Sequence, residues 1–374
     1  MTTTCDILIV GGGIAGLSVA SELSKNAQVV VLEGEDQIGF HSSGRSATML
    51  HYALGNRLIR ALTLASRPFF DSPPDGFDEV PLGRQMPVLV HAREDERSAL
   101  ERLYADISPF AAIERLDEGG VRQLCPLLKP DAVHGLADRD GLRLDPHAIL
   151  QAHLRVLRRN GGAVHVAAGA GSIERSGGAW HVVVAGGERY SAPLIVNAAG
   201  AWADHVAQLA DVEPIGLEPK RRTIITFDGP ANIGLETLPF AKTVGDDLYF
   251  APESGRLFAS PMDEAPSDPC DAQPDEFEMA LAAYRMEQRT TVKVKRIHRC
   301  WAGLRTFTSD HHPAVGFASD AEGFFWIAGQ GGSGLQTSPA LARIVAALIL
   351  EQSWPLADVS QEDLSPARFF RQAA

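Results

Sequence analysis

Two short apolar runs near the start of the chain, Ile7-Leu8-Ile9-Val10 and Val29-Val30-Val31-Leu32, contain no alternating polar residues. Strands covered on both faces of a parallel sheet read this way. Between them Gly11-Gly12-Gly13-Ile14-Ala15-Gly16 turns into a helix predicted over residues 17–25, completing a strand-helix-strand unit. Residues 148–159 place apolar side chains at helical spacing among arginines and stop at Asn160-Gly161-Gly162. A strand over 163–166 follows, then a hairpin whose arms, 180–184 and 188–191, flank Ala185-Gly186-Gly187. Leu194-Ile195-Val196-Asn197 is a further buried strand, breaking into the small residues Ala198-Ala199-Gly200-Ala201 before Trp202. The Pro, Asp and Gly of residues 68–81 mark the chain leaving this first unit, with strand material from 87 to 90. Strand patterns at 222–227, 248–250, 257–260 and 291–297 predict an antiparallel sheet forming the other wall of a cleft. Residues 324–328 form one more strand, which leads through a second glycine loop, 329–338, into a helix reaching 348. The fold class is therefore α/β, with an α+β second domain.

The first unit has a chemical purpose. Gly11, Gly13 and Gly16 supply a tight turn, close backbone approach to a pyrophosphate and close helix-strand packing, and the helix N-terminus turns partial positive charge toward the phosphates. Glu33 ends the second strand about 20 residues on, where a carboxylate accepts from both ribose hydroxyls of an adenosine and repels a 2'-phosphate. An adenine dinucleotide other than NADP is expected. His41-Ser42-Ser43-Gly44-Arg45-Ser46-Ala47 reads as a loop near the bound phosphates, and the loop before the last long helix offers a second field of backbone N–H groups.

Composition narrows the partners. With 374 residues, two domains around one cleft are expected. A hydrophobic content of 45% and a charged content of 22% are those of an ordinary globular protein. The formal net charge of -13 argues against nucleic acid or an anionic membrane as a main partner, so the cluster Lys220-Arg221-Arg222 points to a small anion. Residues 344–350 are too few for a membrane span, and the first six leave no space for a signal peptide, so a cytoplasmic location is expected. Cys5, Cys125, Cys270 and Cys300 have neither zinc nor disulfide spacing, and His311-His312 lacks neighbouring ligands, so no metal is expected.

The glycine unit, the segment from His41 to Ala47, Pro219-Lys220-Arg221-Arg222, Trp301-Ala302-Gly303-Leu304-Arg305 and the loop 329–338 together resemble the flavin-dependent amine and D-amino acid oxidoreductases, which include D-amino acid oxidase, glycine oxidase and sarcosine oxidase. The resemblance covers nearly the whole chain and is greatest to the D-arginine dehydrogenase branch. It implies a non-covalent FAD and a Rossmann-like nucleotide domain (1–80, 140–215, 304–374) interleaved with a sheet-based substrate domain (81–139, 216–303). Cysteine attachment of the flavin is not expected, because Arg305 and its neighbours occupy that region and Cys300 lies upstream. Beside Gly11, Gly13, Gly16 and Glu33, the implied cofactor contacts are Ile14, Ala15, His41, Ser42, Ser43, Gly44, Arg45, Ser46, Ala47, Val166, Ala199, Gly200, Trp202, Arg305, Gly331, Gly332, Ser333, Gly334, Leu335, Gln336 and Thr337. For the substrate, Arg222 and Arg305 are expected to clamp a carboxylate through their guanidinium forks. By resemblance Tyr249 lines the substrate site and the Gly332 carbonyl accepts from the amine, with His51 a further contact.

The expected reaction is oxidative deamination of a D-amino acid, hydride passing from the clamped Cα to flavin N5 with help from a neutral amine lone pair. The imino acid then hydrolyses to a keto acid and ammonia. The electron acceptor is unassigned. Where D-arginine dehydrogenases carry a polar lid, this chain reads Thr48-Met49-Leu50-His51-Tyr52-Ala53-Leu54, and the acid that meets a guanidinium is missing around Arg84-Gln85-Met86-Pro87. A buried cation without an acid is costly, so a neutral or apolar amino acid is expected, with Met49, Leu54 and Met86 facing its side chain. Two other readings fit the same residues: a flavin-dependent 2-hydroxy acid dehydrogenase, which needs a base for the hydroxyl proton, and a non-catalytic FAD-binding subunit.

Overall fold

The strands Ile7–Val10, Val29–Leu32, Ala163–His165, Leu194–Asn197 and Phe324–Ala328 lie parallel in one sheet, and Ala314–Phe317 closes its edge antiparallel. This is a computed structural model, and it describes residues 2–77 and 79–370. Met1, Asp78 and residues 371–374, which fall within the domain ranges expected above, lie outside the described residues. Both faces of the sheet are covered, which is why its strands read as unbroken apolar runs. Ile7, Ile9, Val29 and Val31 pack on one side against the helices Ile14–Leu23, Arg57–Asp71 and Gly334–Ile349. Leu8, Val10, Val30 and Leu32 pack on the other against a four-stranded sheet built around the hairpin Ala179–Val184 and Arg189–Ala192.

A second, nine-stranded sheet stands beside this nucleotide-type layer. Its strands run in the order Ala265–Pro266, Glu218–Phe227, Arg256–Ser260, Tyr249–Glu253, Phe240–Thr243, Val88–Ala92, His134–Asp138 and Ile113–Leu116, with Ile297–Phe307 paired along Glu218–Phe227. All its pairings are antiparallel except that of Phe240–Thr243 with Val88–Ala92. The mixed α/β architecture is thus the one read from the sequence. The strand Ile297–Phe307 runs unbroken across residue 303, where a domain border is expected.

Two local expectations are corrected. Residues 291–296 are not a strand, although their apolar residues alternate: Glu287, on the helix Glu276–Arg289, accepts the Val294 amide at 3.1 Å and removes it from any ladder. The turn expected from residue 68 begins later, because Pro68 lies inside the helix Arg57–Asp71. The last turn persists past the proline because Phe69 stacks on His153 and meets Phe77 edge to face.

Candidate functional site

The glycine turn is built as tightly as its sequence requires. Gly11 has a φ of 112°, and a Cβ there would stand 2.4 Å from the Ala198 carbonyl oxygen; at Gly16 it would stand 1.9 Å from the carbonyl oxygen of Gly11. Neither position admits a side chain. Glu33 accepts from the Gly12 amide at 2.7 Å and the Glu35 amide at 2.9 Å, one on each carboxylate oxygen, which fixes the carboxylate and leaves lone pairs for hydroxyl donors. It borders a cavity of about 390 Å³ lined also by Gly11, Gly13, His41, Ser42, Ser43, Ala199, Gly200 and Trp202. The His41 ring lies 4.5 Å from that of Trp202 and its Nε2 is 2.8 Å from Glu35. Val166, by contrast, is 44% exposed and does not line this cavity, whose wall there is Ala168, Gly169 and Ala170.

A second cavity, of about 130 Å³, continues from Gly13 under the following loop to the second sheet. Ile14, Ala15, Ser42, Ser43, Arg45, Ser46 and Ala47 line one side, Arg222, Tyr249 and Arg305 another, and Gly331, Gly332, Gly334 and Leu335 close it. Gly44 faces the opposite side of its loop, and Ser333, Gln336 and Thr337 are buried at the start of the last long helix. Gln336 accepts from the His51 amide at 3.3 Å and donates to Thr63 at 2.8 Å, which is a packing role in this structure. The two joined cavities, the fixed acid at one end and the glycine cradle between them have the polarity FAD requires: a carboxylate at the ribose, N–H groups and a helix N-terminus at the pyrophosphate, and cations at the reacting end.

Arg222 and Arg305 lie on the adjacent strands Glu218–Phe227 and Ile297–Phe307, whose antiparallel register carries Lys220 opposite Arg305. Arg222 donates from Nε to the Asp263 carbonyl at 2.8 Å and from Nη2 to Glu264 at 3.1 Å, while Nη1 is enclosed with no partner. Arg305 forms no ion pair among the described residues. Burial, together with the charge of Arg222, pushes its pKa down to about 10, still high enough to keep it cationic at neutral pH. A vestibule of about 630 Å³ opens onto both guanidiniums, lined also by Leu54, Asn56, Asp246, Met262 and Glu264.

Several expected substrate contacts stand elsewhere. Met49 and Met86 line neither cavity; they pack with Val88, Phe240, Tyr249 and Phe258 in an apolar cluster, because the strand Met49–Leu50 and the link between Gly83–Gln85 and Val88–Ala92 that carries Met86 turn these side chains inward behind the site. His51 lines a small enclosed void with Asp138 instead of the cleft. Burial, then the charges of Lys242 and Arg305, lower its pKa to about 3, so it is neutral at physiological pH. Sequence reasoning missed Asp263, Glu264, Asp246 and Lys242. Buried Lys242 donates to the Ala53 carbonyl at 3.1 Å and pairs with Asp246 at the vestibule. The acids absent around residue 85 are therefore supplied by residues 246 and 264, but each already holds a cation.

The chain is 25% identical to bovine "FAD-dependent oxidoreductase domain-containing protein 1" over 92% of its own length and 81% of that protein's. Among solved structures it is similar to glycine oxidase from Geobacillus kaustophilus, with a TM-score of 0.82 at 21% identity over 96% of this chain and 98% of that one. It is also similar to the FAD-bound L-alpha-glycerophosphate oxidase of Mycoplasma pneumoniae, with a TM-score of 0.85 at 19% identity over 98% of each chain. The family model described as FAD dependent oxidoreductase (DAO) matches residues 6–348, so this chain belongs to that family and FAD is its cofactor.

Proposed function

We propose that this FAD-dependent oxidoreductase oxidises the carbon-nitrogen bond of a neutral, monocarboxylic amino acid, with a D-amino acid as the expected enantiomer. The reading rests on the charge tally at the cleft. Lys242 is paired with Asp246 and Arg222 with Glu264, so of these three cations Arg305 is the one without an ion pair among the described residues. One unpaired guanidinium, helped by the free Nη1 of Arg222, suits one carboxylate. A positively charged substrate side chain would find no free acid there, since Asp246 and Glu264 each already hold a cation.

Arg222 Nη1 and Arg305 would hold the carboxylate from adjacent strands, and the Gly332 carbonyl would accept from the amine. A Cβ on Gly332 would stand 2.9 Å from the Arg305 guanidinium carbon, so the missing side chain is what lets that guanidinium lie against the loop. Tyr249, buried and bordering the same cavity, shapes its wall. FAD supplies the hydride acceptor. The chain's own residues bind, orient and exclude water, and none need move a proton if the amine enters neutral.

That last point separates this reading from oxidation of a hydroxyl, which the likeness to a glycerophosphate oxidase keeps in view. Hydroxyl oxidation requires a base: no carboxylate or histidine lines the flavin-side cavity among the described residues, and Asp246 and Glu264 in the adjoining vestibule each hold a cation, which leaves His311 there as the group that reading would need. The experiment is anaerobic mixing of the holoprotein with neutral D- and L-amino acids, 2-hydroxy acids and glycerol 3-phosphate, followed by flavin absorbance. Bleaching by a neutral D-amino acid is expected. Bleaching by hydroxy compounds alone would replace this reading, and bleaching by none would leave the non-catalytic one.

A further inference from the structure

A large cleft of about 1220 Å³ lies on the far side of the loop that borders the flavin cavity, and no step of the proposed reaction uses it. Its walls carry Arg84, Arg143, Arg155, Arg256, Arg299 and Trp301. Five guanidiniums in one cleft are unusual for a chain of net charge -13. Three are paired at the rim: Arg143 with Glu253, Arg155 with Glu79 at 3.0 Å and Arg256 with Asp228 at 3.2 Å. Arg84 and Arg299 form no ion pair among the described residues, and Nη1 of Arg143 and Nη2 of Arg155 are enclosed without hydrogen-bond partners. Enclosed donors of this kind await an acceptor.

The position of the cleft gives it a use. Ser46 lines both this cleft and the flavin cavity, so one loop separates them. The strand Ile297–Phe307 also joins them, Trp301 facing the cleft and Gly303, two residues or about 7 Å along, facing the flavin cavity. Trp301 is fixed by its indole N–H, which donates to the Arg45 carbonyl of the shared loop at 3.0 Å. Together with the flat guanidiniums it offers faces to a planar ring, and the unpaired arginines offer charge to its acidic substituents.

We infer that this cleft binds the electron acceptor, and that the acceptor is a small planar quinonoid carrying negative charge. The inference rests on the FAD-dependent oxidase or dehydrogenase reading but not on the identity of the amino substrate. The acceptor gains two electrons and two protons and becomes the hydroquinone, while the flavin reduced by substrate returns to its oxidised form; no bond forms between them.

The probe is anthraquinone-2,6-disulfonate, a planar dianion, set against an uncharged naphthoquinone. Its binding to the oxidised holoprotein is measured by titration calorimetry, and its oxidation of photoreduced holoprotein by stopped flow. Photoreduction requires no substrate, so failure of the amino acid reading leaves this test intact. Micromolar binding is expected, weakened tenfold or more in R84Q/R299Q, with a matching fall in the rate of flavin reoxidation by the disulfonate and none with the neutral quinone. Both side chains are exposed, and unchanged flavin absorbance checks the fold. Binding weaker than millimolar, binding indifferent to the double substitution, or an equal loss of rate with both quinones would each overturn the inference.

Discussion

Arg305 is held by geometry more than by partners. Its guanidinium lies against Gly332, beside the like charge of Arg222, in a place where burial alone disfavours a cation. On the proposed reading a substrate carboxylate entering the cleft would supply the missing counter-charge, and the clamp would be strongest with substrate bound. Arg305→Ala removes a charge-assisted pair worth about 3 kcal/mol, roughly two orders of magnitude in kcat/KM for a carboxylate substrate. Steady-state kinetics normalised to bound flavin check this, and a change within a few-fold would show that the carboxylate is held elsewhere. Gly332→Ala tests the same contact from the other side. The added methyl would meet the flexible end of Arg305, not backbone, so the protein is expected to fold and retain FAD while KM rises tenfold or more as the guanidinium is displaced. Glycine there would then be a substrate-site requirement, whereas Gly11 and Gly16 face backbone oxygens and are requirements of the fold.

The helix Arg57–Asp71 shows how an element can serve both packing and the site. Asn56 caps it, its Oδ1 accepting from the Ile59 amide at 3.1 Å, and the same residue lines the vestibule next to Leu54 and Gly55. Asn56→Ala should cost about 1 kcal/mol of stability through the lost cap, and Asn56→Asp should recover most of it, since either side chain accepts from the same amide and Asp lacks only the exposed 3.4 Å bond that the Asn56 amide nitrogen donates to the His311 carbonyl. Paired thermal or urea unfolding of the two variants checks this; equal losses would show that the cap is not the source. The same element marks what the sequence discloses. Runs such as Ile7-Leu8-Ile9-Val10 and the hairpin around Gly186 are local patterns, set by burial on both faces or by turn chemistry, and they are strands in the structure. The end of the helix beyond Pro68 depends on His153, a partner far outside any window around that segment, and the loss of strand at residues 291–296 turns on Glu287, which is near in sequence but whose bond to the Val294 amide no apolar pattern discloses. The site divides likewise. Glu33 and the glycines are tied to one local unit and were legible, whereas Asp263 and Glu264 meet Arg222 only because a strand some 40 residues later folds back beside it. Met49 and Met86 were misplaced for the same reason: apolar character does not say whether a side chain faces a cavity or the layer behind it.

Across the whole molecule, three enclosed histidines make folding sensitive to acid. His51 lies behind the cleft, His91 in the strand Val88–Ala92 with both ring nitrogens unpartnered, and His153 in the helix Pro146–Arg159 with Nδ1 2.7 Å from the Ser21 hydroxyl. Burial first, and nearby cations after it, push their pKa values down to about 3, about 4 and about 3. The unfolded chain, with histidines near 6.5, therefore binds more protons below that pH, and stability falls as pH falls. At pH 5 each contributes a loss of about 2 kcal/mol, or about 6 kcal/mol for the three, a large part of the 5–15 kcal/mol typical of a folded protein. Asp138 works the other way, since burial raises its pKa and the folded state takes up its proton earlier, which offsets part of the loss. Asp310, held far below the usual carboxylate range despite burial by Arg368 and the His312 amide, withdraws its contribution only at still lower pH, near and below 3.8. Urea unfolding at pH 7 and pH 5 should thus show a loss of several kcal/mol that precedes carboxylate titration. His153→Gln keeps a side chain able to bond Ser21 but carries no titrating ring, so its loss between the two pH values should be smaller by about 2 kcal/mol whatever its stability at pH 7. An unchanged difference would mean that His153 takes up its proton without unfolding, and that the acid limb has another origin.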